Sequence, residues 1–150
     1  MPQLTFDDIA VGNVFPLPAK IVTRDEIVAF AREFDPQAFR LDENSSAAAL
    51  TGGLIASGWH VCALFMRMLF DGVLADSTCL GSPGIERLKW QHPVRPGDTL
   101  TGRSTVVEAR GSATRPERGI VRFRHEVFNQ KGELVLSMEN PVFFGRSKAG

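Results

Sequence analysis

The amino-acid sequence predicts a single α+β domain in which an antiparallel sheet wraps around one long helix. Helix signals are concentrated in the first half of the chain, whereas the second half holds extended segments rich in Val, Ile, Leu, Phe and Thr. The 150 residues, 43% of them hydrophobic and 23% charged, match the size and composition of one globular domain. Because the sequence has no internal repeat and no linker, we expect residues 1–150 to fold as one unit.

The first predicted helix begins at Thr23 and ends near Asp35. Thr23 and Glu26 have the spacing of a capping box, in which the two side chains satisfy free backbone N–H groups of the first turn. Pro36 ends the helix because its ring does not fit into a helix interior. Between these signals lies one apolar stripe at three- and four-residue spacing, made of Ile27, Phe30, Ala31 and Phe34. Asp35 is therefore expected where the helix becomes a loop.

Two further helices are expected before the strands. An Ala-rich segment from Asp42 to Leu50 predicts a short helix, and Thr51-Gly52-Gly53 ends it with a tight turn. From Ser57 to about Phe70, apolar residues occupy almost every position, which is typical of a helix surrounded by protein. We expect this segment to be the central core helix.

The expected strands are Ile85 to Val94, Thr99 to Ala109, Gly119 to Asn129 and Glu133 to Phe144. Turn sequences at residues 96–98 and 129–132 and a longer hairpin loop at residues 110–118 separate these four strands from one another. Apolar and polar residues alternate along the third strand, and this alternation places His125 on the buried face.

The charge balance argues against several classes of partner. Lys plus Arg and Asp plus Glu both total 17, so the net charge is zero and neither nucleic acid nor an anionic membrane is expected to bind. The sequence opens without a basic and apolar leader and holds no window near the roughly 18 apolar residues of a membrane span, so we expect a cytoplasmic protein. Two Cys and three scattered His give no ligand spacing for a metal.

Four segments in the middle of the chain carry a resemblance to a known family: Phe34 to Asp42, Gly52 to His60, Gly81 to Trp90 and Pro93 to Asp98. In combination they resemble the MaoC-like dehydratase family, which includes (R)-specific enoyl-CoA hydratases. The resemblance implies the hot-dog fold, an acyl-CoA or acyl-carrier thioester as substrate, and a homodimer or higher homo-oligomer. CoA enters as part of the substrate, and no prosthetic cofactor is implied.

Asp35 and Arg40 occupy the positions of the family's catalytic pair. In its hydratases an Asp is followed five residues later by a His, and the two together activate water for addition to the double bond. Asp35 matches the Asp, but Arg40 occupies the His position, and an arginine stays protonated at ordinary pH. Arg40 can pair with Asp35 and lower its pKa, hold a substrate carboxylate or a CoA phosphate, or be a solvent-exposed loop residue. The alternative role of Asp35 is a hydrogen bond to the following loop only.

The start of the central helix is the expected site of the thioester carbonyl. Free N–H groups and the positive end of the helix dipole favour an oxyanion there, and the resemblance implies that the Gly58 N–H is the donor. Ser57 beside it is explained equally well as a plain N-cap. His60 is either a substitute catalytic imidazole or a core histidine. The remaining expected substrate-binding residues are Phe39, Ile55 and Trp59, although large apolar residues at such spacings also simply fill cores.

Three functions are consistent with these residues. Hydration of an enoyl thioester needs a base for water, an acid for the α-carbon and donors for the developing oxyanion. The leading hypothesis is reversible hydration of a 2-enoyl-CoA to the 3-hydroxyacyl-CoA, with Asp35 as base and then acid. A hot-dog thioesterase would use the same helix start and release free CoA. A non-catalytic acyl-thioester binding protein is the third possibility, which Arg40 at the His position favours.

Overall fold

The helices precede the long strands in residues 3–146, the part of the chain that the computed structural model describes. The helices are α1 (Arg24–Phe34), α2 (Ala38–Leu41), α3 (Ser46–Thr51) and α4 (Gly58–Leu69), with a 3-10 turn at Phe6–Asp8 and a π-helical turn at Phe70–Leu74. The strands are β1 (Val14–Ile21), β2 (Cys79–Gly81), β3 (Arg87–Trp90), β4 (Thr99–Gly111), β5 (Arg118–Phe128) and β6 (Leu134–Gly145).

One antiparallel sheet joins all six strands and packs against α4. The strand order is β1-β4-β5-β6, and both β2 and β3 pair with the other edge of β6. The inner face of the sheet contributes Leu100, Val127 and Leu136 to a core that α4 completes with Val61 and Phe65. The predicted α+β domain, with a sheet curved around a central helix in the hot-dog arrangement, is confirmed.

Within residues 3–146 the sheet covers one side of α4 and leaves the other side exposed, so the expectation that protein surrounds this helix is not met within a single chain. Trp59 and Met66 of α4 and Phe70, the first residue after it, lie on this outer side and are 63%, 47% and 45% exposed. We call these three residues the outer stripe. They follow one another at four- and seven-residue spacing, so they share a face of the helix. The almost continuous apolar pattern therefore reflects two apolar faces, of which the sheet of this chain covers one.

The helix expected from Asp42 to Leu50 is shorter than predicted and corresponds to α3 (Ser46–Thr51), whereas α2 (Ala38–Leu41) was not predicted and ends just before this segment. Asp42 is extended and ends α2, and Ser45 begins α3 by accepting a hydrogen bond from the Ala48 N–H at 3.0 Å. Ser45 is a good N-cap because its hydroxyl satisfies a donor that the first turn leaves free. The Ala-rich composition predicted helix correctly, but this capping signal was overlooked.

Strands β1 and β2 were not predicted, and the strand expected at Ile85 to Val94 is reduced to β3. β1 contains Pro16 and Pro18, which obscure a strand pattern because proline cannot donate to a ladder. Among the strands of residues 3–146, β1 pairs with β4 alone and forms an edge of the sheet, where the missing donors are tolerated. Pairing with a sheet edge is a tertiary property, so these bounds could not be read from local composition.

The beginning of α1 matches the prediction. Thr23 accepts a hydrogen bond from the Glu26 N–H at 3.2 Å, and the helix ends at Phe34 with Asp35 as its C-cap. In residues 3–146 no helix is long and apolar enough to cross a membrane. The same residues contain no group of His, Cys, Asp and Glu side chains that would suit a metal ion.

Candidate active site

The carboxylate of Asp35 lies at the end of α1 and is held by its two neighbours on the following turn. Gln37 Nε2 donates to Asp35 Oδ1 at 2.6 Å, and Arg40 Nε lies 2.9 Å from Asp35 Oδ2. The side chains of Asp35 and Arg40 are 17% and 14% exposed, so this ion pair is largely withdrawn from water. Gln37 was not among the predicted site residues, although an amide two residues after an Asp across a proline turn is a usable signal.

These contacts hold the pKa of Asp35 below its ordinary value. The hydrogen bond from Gln37 lowers it most, and the Ser57 hydroxyl and the charge of Arg40 lower it further, whereas burial opposes them. Asp35 is therefore ionised at neutral pH and able to accept a proton. Arg40 pairs with Asp35 in the structure, and the role of holding a substrate carboxylate or a CoA phosphate stays a prediction.

Arg40 also connects Asp35 to the loop that precedes α4. Its Nη1 donates to the Ala56 carbonyl at 2.6 Å and to the Ile55 carbonyl at 3.3 Å. The guanidinium carbon lies 4.5 Å from the centre of the Phe39 ring, which covers one side of the cation. The idea of a solvent-exposed loop arginine is therefore wrong. Phe39 and Ile55, both half-buried, lie beside this cation.

Ser57 precedes α4 with a hydroxyl that has no well-formed hydrogen bond. The residue is 1% exposed, and although it occupies the N-cap position its side chain accepts no capping bond. Its hydroxyl nevertheless lies close enough to the Asp35 carboxylate to lower the pKa of that group. A plain N-cap does not explain this arrangement. Ser57 and Asp35, 22 positions apart in the sequence, belong to one site.

The first turn of α4 leaves backbone donors beside Ser57 and Asp35. In residues 3–146 no acceptor bonds the N–H of Gly58, because a helix cannot satisfy its own first donors. These dipoles point the positive end of α4 toward the site, where they favour a negative oxygen. An ionised carboxylate, a free hydroxyl and unpaired N–H donors are thus gathered at one point.

Trp90 covers Gly58, a relationship that the sequence did not indicate. Its Nε1 donates to the Gly58 carbonyl at 3.0 Å, and a Cβ added to Gly58 would lie 2.6 Å from Trp90 Cε2. Any side chain at position 58 would collide with this indole. The exposed ring of Trp59 meets Trp90 edge to face at 5.3 Å between ring centres. Trp59 is therefore a surface residue next to the site and does not fill the core.

The structure does not bring His60 to Asp35. Its ring stacks on Phe30 of α1 at 4.7 Å, with 8° between the planes, and the residue is 6% exposed. Burial lowers the pKa of His60, so the imidazole is neutral. The ring is packed as in a core histidine, but its Nδ1 is buried without a hydrogen-bond partner in residues 3–146, and a catalytic role for His60 stays a prediction.

Comparison with known proteins gives consistent results. The model of the MaoC like domain matches residues 10–127. A MaoC-like dehydratase of Rhodospirillum rubrum is 41% identical, with a TM-score of 0.88 over 96% of this chain and 98% of that chain. YdeM of Bacillus subtilis strain 168, an uncharacterized protein, is 30% identical over 95% of this chain and 100% of its own length. An (R)-hydratase from A. caviae involved in PHA biosynthesis is 25% identical, with a TM-score of 0.71 over 89% of this chain and 96% of that chain.

Proposed function

The chain belongs to the family of MaoC-like domains, and from that premise we propose that it is an acyl-thioester lyase, which reversibly hydrates a 2-enoyl-CoA to the 3-hydroxyacyl-CoA. The observation that carries the proposal is the position of Arg40, which lies 2.9 Å from the Asp35 carboxylate and donates to the carbonyls of Ile55 and Ala56 in the loop that leads into α4. The relatives named above include a MaoC-like dehydratase and an (R)-hydratase. The same chemistry in either direction fits both descriptions.

In the proposed reaction, Asp35 takes a proton from water while the water oxygen forms a bond to the β-carbon of the substrate. The electrons of the double bond move toward the thioester oxygen, where the Gly58 N–H and the dipole of α4 stabilise the enolate. Protonated Asp35 then gives its proton to the α-carbon, which completes the hydration. Only protons and water move, so the proposal includes no prosthetic cofactor.

Arg40 takes a positioning role in this mechanism, because a guanidinium cannot exchange protons at ordinary pH. It keeps the Asp35 carboxylate ionised and fixes it relative to the Ile55 and Ala56 carbonyls, two residues before the oxyanion donor. Ser57 has a free hydroxyl that can hold the attacking water. One carboxylate therefore performs the proton transfers that a carboxylate and an imidazole share in other members of the family.

A second candidate function, non-catalytic binding of an acyl thioester, is favoured by the engagement of Arg40. Its Nη1 donates to two backbone carbonyls, and its Nε lies 2.9 Å from Asp35 Oδ2 in an ion pair without hydrogen-bond geometry. Without a catalytic imidazole, and with Arg40 already paired with Asp35, the site could still bind a thioester through the free N–H groups at the start of α4. This candidate predicts binding of an acyl-CoA without turnover.

The decisive experiment measures the loss of crotonyl-CoA absorbance and, in parallel, the release of free thiol with a thiol-reactive dye. We expect hydration in the wild type and its loss in Asp35→Asn, with the fold retained. Asp42→Asn, at an exposed position seven residues away, is the matched control and should retain the rate. Full activity in Asp35→Asn would overturn the mechanism. Thiol release would indicate a thioesterase, and thermal stabilisation by acyl-CoA without turnover would indicate the binding protein.

We also propose that the protein is a homodimer whose contact includes the outer stripe of α4. Trp59, Met66 and Phe70 are apolar, exposed and aligned on one helix face. Trp90 and Ile85, 44% and 51% exposed, add to the same apolar region. Apolar patches of this kind on a soluble domain mark interaction surfaces, and a second copy of the chain is the commonest partner.

A further inference from the structure

A cavity of about 390 Å³ opens between α4 and the sheet, beyond the site described above. It is lined by α4 from Cys62 to Leu69, by the loop of residues 82–85, and by inward-facing residues of β5 and β6. We call it the α4 pocket. Its volume lies within the range of small-molecule binding sites.

Residues of α4 that line the pocket lie on the same face of the helix as Gly58, the proposed oxyanion donor. Gly58, Cys62 and Leu69 follow one another at spacings that keep them on one helix face. With a rise of 1.5 Å per residue, the pocket extends from roughly 6 to 16 Å beyond Gly58 along the helix axis. Trp90 covers Gly58 and also interacts with the Cys62 thiol, so the indole lies at the junction of site and pocket. An acyl chain whose thioester is held at Gly58 would enter the α4 pocket with its distal part.

One wall of this otherwise apolar pocket is polar. His125 and Asn140 interrupt inward-facing rows of apolar residues on β5 and β6, and they are 1% and 8% exposed. His125 Nδ1 lies 2.7 Å from Ser104 Oγ, and His125 Nε2 lies 2.9 Å from Asn140 Oδ1. Asn140 Nδ2 in turn donates to Ser82 Oγ at 3.2 Å.

The direction of this hydrogen-bonded chain follows from its acceptors. Because Asn140 Oδ1 only accepts, His125 Nε2 carries the hydrogen, and His125 Nδ1 must accept from the Ser104 hydroxyl. The imidazole is then neutral, in agreement with burial that lowers the pKa of His125 to about 4. Asn140 Nδ2 has two hydrogens and gives one to Ser82, and within residues 3–146 the second meets no acceptor.

We propose that the α4 pocket holds the distal part of the acyl group and that Asn140 donates its second amide hydrogen to a neutral oxygen on that chain. The preferred substrates are accordingly enoyl thioesters with a keto or similar neutral oxygen substituent, and not plain alkyl chains. Among residues 3–146 no Lys, Arg, Asp or Glu lines the pocket, so a charged substituent would be buried without a counter-charge, at high cost. The inference rests on the proposed function, since it assumes that the thioester lies at Gly58.

The test measures binding apart from turnover, with CoA thioethers that cannot be hydrated. Octyl-CoA thioethers with and without a keto group, the keto group being moved along the distal half of the chain, are titrated calorimetrically. We expect at least one keto compound to bind the wild type about ten-fold more tightly than the plain chain, equivalent to about 1.4 kcal/mol. Asn140→Leu should abolish this preference, while Leu50→Asn, at a position 89% exposed, should retain it.

A second variant tests whether the acyl chain occupies the α4 pocket, and it leaves the hydrogen-bonded residues His125 and Asn140 unchanged. Cys62→Phe reduces the volume of the pocket from the α4 side, at a position outside the outer stripe, and should reduce the ratio of octyl-CoA to butyl-CoA affinity at least ten-fold. The inference is overturned if no keto compound is preferred, if Asn140→Leu retains the preference, or if Cys62→Phe leaves the ratio unchanged. These results do not depend on hydration of crotonyl-CoA. If the protein shows no turnover but its preference for keto compounds still depends on Asn140, the proposal for the α4 pocket stands and the proposed hydratase function is wrong.

Discussion

Arg40 lies between Asp35 and the start of α4 and contacts both. Its Nε is 2.9 Å from Asp35 Oδ2, and its Nη1 donates to the Ala56 carbonyl at 2.6 Å. The family's hydratases carry an imidazole at this position. In this chain the Arg40 guanidinium contacts both the carboxylate and the loop before α4, and in the proposed mechanism Asp35 alone performs the proton transfers.

Replacing Arg40 by Lys should reduce hydration at least ten-fold although the positive charge is retained. A lysine ammonium is a point charge that cannot reproduce the planar contacts to a carboxylate and to two carbonyls. The measurement is kcat/KM for crotonyl-CoA. Arg32→Lys, at an exposed position in the last turn of α1, should behave as the wild type. An unchanged rate in Arg40→Lys would mean that charge alone matters. A gain of rate in Arg40→His would show that the site is otherwise complete.

Replacing Gln37 by Leu should move the acid limb of the activity profile to higher pH. The hydrogen bond from Gln37 is the largest cause of the lowered pKa of Asp35, so its loss raises that pKa. Asp35 must be ionised to accept a proton, and a higher pKa makes activity disappear earlier as the pH falls. The measurement is kcat/KM against pH. Gln91→Leu, at an exposed position, is the control, and an acid limb that stays in place in Gln37→Leu would contradict the assignment.

The Gly58→Ala variant should destabilise the protein because of Trp90. The added Cβ would lie 2.6 Å from Trp90 Cε2, so the indole must move, and overpacking of this kind costs about 1–3 kcal/mol. Urea unfolding measures the free energy. In a Trp90→Ala background the same change should no longer destabilise. An equal cost in both backgrounds would show that the indole is not the cause.

Stability should fall on acidification because of His125. Its pKa is lowered to about 4 in the folded protein, whereas an unfolded histidine titrates near pH 6.5. Between pH 4 and pH 6.5 the unfolded chain binds more protons at this histidine than the folded protein does. The contribution of His125 to the free energy of unfolding is therefore complete above pH 6.5. It is lost as the pH falls toward 4, at up to about 1.4 kcal/mol per pH unit. Urea unfolding from pH 7 to pH 5 should show a smaller slope in His125→Gln. The exposed His92→Gln should keep the slope of the wild type.

A charge in the outer stripe should separate the proposed homodimer. Phe70 is 45% exposed on the free face of α4, and Phe70→Glu would place a carboxylate in the apolar contact. Light scattering coupled to size exclusion should report a dimer for the wild type and a monomer for this variant. Leu50→Glu, at an exposed position away from the stripe, should remain dimeric. A wild-type monomer at micromolar concentration would refute the proposal.

Local signals predicted most of the secondary structure that positions the site. The Thr23 cap and Pro36 define α1, and they placed Asp35 at its end because capping and proline act within a few residues. The signals failed where pairing partners decide the conformation. β1, with its two prolines, is a strand because β4 lies beside it.

The sequence by itself determined the α+β class, the helix that starts at Gly58, and the candidate role of Asp35. These follow from periodicity, from capping and from the residues that resemble a known family. Only the tertiary structure decided that Arg40 pairs with Asp35, that Trp90 covers Gly58, and that His60 packs on Phe30. Each of these contacts joins separate elements or turns, and its geometry depends on how the elements pack. Local sequence patterns encode only the conformation of neighbouring residues, so the set of residues that forms the site could be identified only from the folded structure.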